Sequence, residues 1–102
     1  MEEEKYDFLS DQTIEDVART FKALADPTRV RILHLLSQQE CSVGHISSVL
    51  KLSQSAVSHQ LSYLRQLRLV KNRREGQTFY YTYDDEHVIT ILKQMVHHIL
   101  HD

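Results

Sequence analysis

Residues 42–71 read SVGHISSVLKLSQSAVSHQLSYLRQLRLVK, and they decide the fold because two amphipathic stretches flank a short break. In each stretch the apolar residues recur every three or four positions, which predicts a short helix followed by a longer one. These residues are Val43, Ile46, Val49 and Leu50 in the first stretch, and Val57, Leu61 and Leu64 in the second. Ser42 and Ser53 precede the stretches and are favoured N-cap residues. A short helix, a tight turn and a second helix predict a helix-turn-helix.

The sequence after Leu67 changes from a helical period to a strand pattern. Residues 69–74 and 78–83 predict two strands, the second of them dense in aromatic residues. Glu75-Gly76 is the predicted hairpin tip, because Gly tolerates a positive φ. Three more helices are expected: one from near Asp11 or Thr13, one after Asp26-Pro27, and one from Asp85 to Leu100. The expected fold class is mainly α with a β-hairpin, a winged helix-turn-helix.

The composition fits one globular domain spanning residues 1–102, with an acidic arm over residues 1–12 that need not be ordered. Hydrophobic residues make up 41% and charged residues 25% of the chain. No stretch approaches the ~18 apolar residues of a membrane helix, and the acidic start is unlike a signal peptide. The single Cys41 excludes an internal disulfide and a multi-thiolate metal site within one chain. We expect a reduced, cytoplasmic protein with no membrane partner and no small organic substrate.

Basic residues concentrate in residues 51–83, although the whole chain has a net charge of −2. Six Lys or Arg residues accompany a single acid there, which is the pattern of a nucleic-acid surface. The polar side of the longer helix carries hydroxyl, amide and imidazole groups that can pair with base edges. We expect base contacts from Gln54, Ser55, Ser58 and His59, phosphate contacts from Lys51, Arg65 and Lys71, and minor-groove contacts from Arg73, Arg74 and Gln77.

Two pairs of candidate metal ligands lie at opposite ends of the last predicted helix: Asp85 with His87, and His98 with His101. His87 and His98 are about 16 Å apart along the axis at 1.5 Å per residue, so one helix cannot bring both pairs to one ion. Two antiparallel copies about a two-fold axis can, because 85 then meets 101 and 87 meets 98 around one centre. The pattern predicts a homodimer through its terminal helices, with two sites for Zn²⁺ or Co²⁺.

Three questions stay open at this point. Spacing does not choose between His98 and His97, because His97 and His101 are also one turn apart. A winged-helix DNA-binding protein without metal input, whose terminal helix serves only dimerisation, is a second hypothesis. A zinc enzyme or carrier is a third, but no general base stands beside an open coordination position. We therefore expect no enzyme.

Several segments together resemble the ArsR/SmtB family of bacterial metal-sensing repressors, and most closely its CzrA-type zinc- and cobalt-sensing branch. They are FKALADPTRVRILHLL (21–36), the stretch 42–71, REGQTFYY (74–81) and DDEHVITILKQMVHH (84–98). The resemblance implies a homodimeric repressor that binds an imperfect inverted repeat in operator DNA when metal-free and releases it on binding metal.

The resemblance also assigns residues. It implies Asp85, His87, His98 and His101 as the metal ligands, and so favours His98 over His97. It adds Val57 to the base contacts inferred above. Other branches carry a Cys-Val-Cys or Cys-Val-Gly-Asp element near the third helix, where this chain has Ser42-Val43-Gly44-His45 with Cys41 one place early. That departure argues against arsenic, cadmium or lead sensing through this element.

Overall fold

The computed structural model describes residues 5–101; residues 1–4 and Asp102 lie outside the described range. Within that range the chain forms five α-helices and one three-stranded antiparallel sheet. In chain order the elements are α1 (Asp11–Leu24), α2 (Pro27–Leu36), β1 (Cys41–Ser42), α3 (Val43–Leu50), α4 (Gln54–Gln66), β2 (Val70–Glu75), β3 (Thr78–Tyr83) and α5 (Glu86–Leu100). None of the five helices in residues 5–101 is long and apolar enough to cross a membrane.

Each helix begins at a capping side chain that is recognisable in the sequence. Ser10, Asp26, Ser42 and Ser53 each accept a hydrogen bond from the backbone N–H three residues further on, and Asp85 accepts one from His87. Each of these bonds satisfies an N–H group that has no partner within its helix. Pro27 occupies the first turn of α2, where its missing N–H costs nothing. The sequence therefore fixes the helix starts locally.

The break between α3 and α4 is a tight turn. Lys51 ends α3 in the left-handed region, with φ 58° and ψ 48°. The Leu52 N–H donates to the Ser47 carbonyl at 3.0 Å, which closes the end of α3. Arg31 of α2 donates to the Leu50 carbonyl at 2.8 Å and caps the same end from outside. This turn sets the angle at which α4 leaves α3.

The core lies where α2, α3 and α4 pack together with the start of the hairpin and one turn of α5. Its side chains are at most 6% exposed. They include Ile32, Leu33 and Leu36 of α2, Ile46 of α3, Val57, Leu61 and Leu64 of α4, Leu69 and Val70 at the start of the hairpin, and Leu92 of α5. The apolar stripe predicted for α4 is thus the buried side of that helix. Its opposite side is left free for other contacts.

The sheet places β3 between β1 and β2. Tyr80 lies opposite Arg73 of β2 on one side and Ser42 of β1 on the other. Strands β2 and β3 form the expected hairpin, and a two-residue loop, Gly76-Gln77, joins them. Gly76 has φ 65°, which suits the first loop position of this kind of hairpin. The hairpin follows α4 directly and forms the wing.

Three details differ from the sequence-based expectations. Helix α1 already begins at Asp11, so residues 11 and 12 of the expected arm are helical, while residues 1–4 of that arm lie outside the described residues. The hairpin tip is one residue later than Glu75-Gly76, since Glu75 still pairs with Thr78. Strand β1 is new, because two residues give no periodic signal and their pairing partner is distant in the sequence.

Candidate nucleic-acid interface and metal ligands

The first two turns of α4 present a polar surface. Gln54, Ser55, Ser58 and His59 are all exposed there. Ser53 caps the helix by accepting the Ala56 N–H at 3.1 Å, and the remaining free N–H groups of the first turn favour an anion. The structure therefore brings together the four side chains that spacing predicted for base contacts, at a helix end suited to phosphate.

Val57 is the exception among the residues expected to contact bases. Its side chain is wholly buried between α4 and the rest of the core. A side chain with no exposed surface cannot reach a base edge, so this assignment, which came from the family resemblance, is wrong for the chain as folded here. The apolar spacing of α4, which placed Val57 on the inner face, gave the correct position.

The three residues expected to contact phosphates form no ion pair in the part of the chain that the structure describes. They are Lys51, Arg65 and Lys71, and all three are exposed. Arg65 and Lys71 border a cavity of 380 Å³ together with Arg68, which had no assigned role. Arg68 has φ 60°, and it turns the chain from α4 into the hairpin. This turn brings Arg68 to the cavity. The basic composition of residues 51–83 alone does not predict that position.

The hairpin residues divide into two groups. Gln77 is at the tip, and Arg74 donates from Nε to the Gly76 carbonyl at 2.8 Å, so both stay near the end of the wing. Arg73 instead forms ion pairs with Glu40 at 2.7 Å and Glu75 at 2.8 Å. Because two carboxylates already surround its guanidinium, the structure argues against Arg73 as a free groove contact.

The first candidate ligand pair is already assembled at the start of α5. Asp85 Oδ1 accepts the His87 backbone N–H at 2.8 Å and lies 3.3 Å from the His87 Nδ1. Both side chains are largely exposed. The N-cap position of Asp85 produces this convergence of residues two apart, because the chain is not yet helical there. The Asp85 and His87 side chains therefore form a carboxylate–imidazole pair open to solvent.

The second ligand pair is not assembled within one chain. His101 lies against His97, with 3.3 Å between their Nδ1 atoms and 4.3 Å between ring centres, while its Nδ1 is 3.0 Å from the His97 carbonyl. His98, the neighbour of His97 in the sequence, is also exposed. Within residues 5–101, no three His, Cys, Asp or Glu side chains lie close enough to hold one ion.

Between the two ligand pairs, α5 exposes a row of apolar side chains. Ile91 is 45%, Met95 56% and Ile99 67% exposed. They border a groove of 440 Å³ whose far side is formed by α1 and α2, with Phe21 54% exposed on α1. Ile14 and Val17 continue this apolar row along α1. The homodimer expected through the terminal helices accounts for the α5 half of this surface, and the structure adds α1 to it.

These features define a class of protein. A helix-turn-helix followed by a β-hairpin wing, with a polar helix start beside basic side chains, is a winged helix-turn-helix DNA-binding regulator. The family described as "Bacterial regulatory protein, arsR family" matches residues 26–72, which include α2, α3, α4 and the start of the wing.

Individual relatives extend this match over most of the chain. The transcriptional repressor SmtB homolog of Synechocystis is 44% identical over 83% of this chain, which corresponds to 64% of the relative's length. The cadmium resistance transcriptional regulatory protein CadC homolog of Staphylococcus aureus is 40% identical over 88% of this chain and 75% of its own length. The chain therefore belongs to the arsR family of bacterial regulatory proteins. This is a family of transcriptional regulators, so the expectation that the protein is not an enzyme is confirmed.

Solved structures agree with the fold. The winged helix-turn-helix domain of Mb0332 from Mycobacterium bovis, described as homodimeric, superposes with a TM-score of 0.80 at 34% identity, covering 95% of this chain and 96% of that one. HlyU from Vibrio cholerae superposes with a TM-score of 0.79 at 37% identity, covering 88% and 97%. The winged helix-turn-helix expected from the sequence is confirmed.

Proposed function

We propose that this protein is a homodimeric transcriptional repressor that leaves its operator DNA when Zn²⁺ or Co²⁺ binds between the two subunits, as in the zinc- and cobalt-sensing branch of its family. One observation supports the proposal above all others. Asp85 with His87, and His98 with His101, stand at opposite ends of one helix whose surface between them is apolar and exposed. The protein would act in the cytoplasm, where the DNA is.

The dimer explains the exposed apolar surface. Ile91, Met95 and Ile99 of α5 and Phe21 of α1 would otherwise remain half in water. Complete burial of such a side chain is worth about 1.5–3 kcal/mol, so covering the exposed half contributes about 1 kcal/mol each. An isologous two-fold interface is the commonest way in which a chain covers such a surface with a second copy. The described homodimer of the Mycobacterium bovis domain supports the same assembly here.

The side chains present fit a borderline-hard divalent ion. One carboxylate and three imidazoles form a tetrahedral set of the kind that holds Zn²⁺, while the only thiol, Cys41, is buried in the core. The His101 ring is oriented by its Nδ1, which can donate to the His97 carbonyl and so leave Nε2 free for coordination. The name of the Staphylococcus relative refers to cadmium, but this chain has no paired thiolates for that ion.

DNA recognition would start from the polar end of α4. Gln54, Ser55, Ser58 and His59 would read bases in the major groove, with Lys51, Arg65 and Lys71 on phosphates and Arg74 and Gln77 at the tip of the wing. In a two-fold dimer, two copies of α4 would meet the two halves of an imperfect inverted repeat. The spacing of the two α4 helices then decides whether both halves can be bound at once.

Metal would weaken DNA binding by fixing that spacing. An ion that joins the start of one α5 to the end of the partner subunit's α5 would restrain the two subunits relative to each other. It lowers DNA affinity only if it binds the free dimer more tightly than the DNA-bound dimer. Coupling of this kind typically changes affinity by roughly 5- to 150-fold, and DNA must lower the metal affinity by the same factor.

A titration of operator DNA with and without Zn²⁺, at one stated salt concentration, tests the proposal. We expect Zn²⁺ to weaken DNA binding of the wild-type dimer, and His98→Asn to abolish this response while leaving metal-free binding intact. His97→Asn is the matched control, since it removes the neighbouring imidazole. Loss of the response in His97→Asn but not in His98→Asn would contradict the assigned ligands.

The second candidate function is a winged-helix repressor without metal input. It is favoured by the exposed apolar surface of α1 and α5, which dimerisation alone would cover. The same titration separates the two functions. Zn²⁺ uptake by the free dimer in equilibrium dialysis, together with weakened DNA binding, supports the metal sensor. DNA binding that ignores Zn²⁺, with no stoichiometric uptake, supports the second candidate.

A further inference from the structure

Arg73 makes an unusual set of contacts for an exposed residue of a wing. Its side chain crosses the face of the central strand, with the guanidinium carbon 4.8 Å from the centre of the Tyr80 ring. Nε donates to the two carboxylate oxygens of Glu40 at 3.1 and 3.0 Å, and Nη2 donates to Oε1 at 2.7 Å. Nη1 donates to Glu75 at 2.8 Å. All three guanidinium nitrogens are thus engaged.

The charge of Arg73 is balanced by these carboxylates. Its hydrogen bond lowers the pKa of Glu40, and the hydrogen bonds to Glu40 and Glu75 raise the pKa of Arg73. Both partners therefore stay ionised throughout the neutral range. A phosphate would have to displace one carboxylate before it could pair with this guanidinium, whereas Lys51 has no such competitor among the described residues.

Glu40 connects this contact to the helix-turn-helix. It directly precedes β1, and Ser42 of β1 is the N-cap of α3. The Glu40–Arg73 contact therefore joins β2, the outer strand of the wing, to the chain entering the first helix of the motif, across β3. A hairpin of two strands is marginally stable alone, and β1 adds only two residues of pairing.

We propose that Glu40 and Arg73 form a strap that sets the position of the wing relative to α3 and α4, and that both are positioning residues rather than DNA contacts. The strap rests on the proposed DNA-binding function. It makes an electrostatically unexpected prediction. Replacing the acid Glu40 by a neutral residue weakens DNA binding, although removing a negative charge from a protein that binds a polyanion should otherwise strengthen it.

DNA affinity and its salt dependence separate a strap from a phosphate contact. We expect Glu40→Gln, Arg73→Lys and Arg73→Gln each to weaken DNA binding by roughly three- to ten-fold, with the slope of log affinity against log salt unchanged. Lys cannot replace Arg because only the planar guanidinium has donors directed at both the Glu40 and the Glu75 carboxylate. The double variant Glu40→Gln/Arg73→Gln should bind no more weakly than Arg73→Gln alone, because either change breaks the same contact.

A phosphate contact gives the opposite pattern. Arg73→Gln would then reduce the salt slope by about 0.9 per subunit, as expected for Lys51→Gln, and Arg73→Lys would keep most of the affinity. Glu40→Gln would bind DNA as well as the wild type or better. Any of these three results for Arg73 or Glu40 overturns the strap.

Hydrogen exchange of the β2 and β3 amides in the free protein tests the strap without DNA. Faster exchange in both Glu40→Gln and Arg73→Lys supports it, and exchange equal to that of the wild type overturns it. If the wild-type protein binds no DNA, the proposed function fails while this measurement still decides whether the strap exists.

Discussion

Ile91 gives the clearest quantitative prediction, because it lies between two grooves on the apolar surface formed by α1 and α5. One groove is bordered by Phe21 and Met95, and the other by Val17 and Thr20. Ile91 is 45% exposed in the single chain. A second subunit packed on this surface would cover much of that exposed part.

The size of the effect follows from this exposure. Complete burial of an Ile side chain is worth about 1.5–3 kcal/mol, so covering the exposed half contributes about 1 kcal/mol per subunit. The two-fold axis repeats the contact, which makes about 2 kcal/mol per dimer. Since 1.4 kcal/mol is tenfold in affinity, Ile91→Ala should raise the dimer dissociation constant roughly 30-fold.

Sedimentation equilibrium of the metal-free protein over a range of concentrations measures this constant. Val49→Ala is the matched control, because Val49 is 49% exposed on α3, outside the apolar surface. Far-ultraviolet circular dichroism checks that both variants are folded. If Ile91→Ala dimerises as tightly as Val49→Ala and the wild type, the surface formed by α1 and α5 is not the dimer interface.

Three further predictions concern local structure. Ser53→Ala removes the N-cap of α4 and should cost about 1 kcal/mol, which lowers the Tm by roughly 4–8 °C, whereas Ser62→Ala in mid-helix should leave it nearly unchanged. Gly76→Ala forces a side chain into φ 65° and should destabilise the wing by about 1–2 kcal/mol by denaturant titration; because nothing lies within 4 Å of the new Cβ, Gly76→Asn should recover most of the loss. Burial and the nearby Glu40 carboxylate raise the pKa of Cys41, so alkylation at neutral pH should be slow until urea unfolds the protein; rapid alkylation of the native state would contradict this.

The helices and the wing could be predicted because their signals are local. Ser42 and Ser53 as caps, the spacing of the apolar residues in α4 and the aromatic run of β3 each act within a few positions of the chain. Pairing across long separations could not be predicted. Strand β1 depends on register with Tyr80 and Tyr81, and Arg73 meets Glu40 from 33 positions away.

The candidate sites also divide into features that local spacing predicts and features that it does not. The polar face of α4 followed from helical spacing, and the same spacing placed Val57 in the core, where the family resemblance placed it at the DNA. The proximity of Asp85 and His87 followed from their place at a helix start. The contact between His97 and His101 is one of two arrangements that the spacing allowed, and spacing cannot show which one a single chain adopts.

The central claim is that each metal ion is held by the start of α5 from one subunit and the end of α5 from the other. Mixed dimers test it directly. One parent carries Asp85→Ala and His87→Ala, and the other carries His98→Ala and His101→Ala. Neither parent homodimer retains a complete site, but a dimer of one subunit from each parent restores one site and leaves the other without any ligands.

The measurement is tight Zn²⁺ uptake by the two parents separately and by their equal mixture after subunit exchange. We predict no tight binding by either parent, and roughly one ion for every two dimers in the mixture, since random exchange makes half of the dimers mixed. A mixture that binds no more Zn²⁺ than its parents, while the wild type binds it tightly, would show that each site is built within a single chain and would contradict the account.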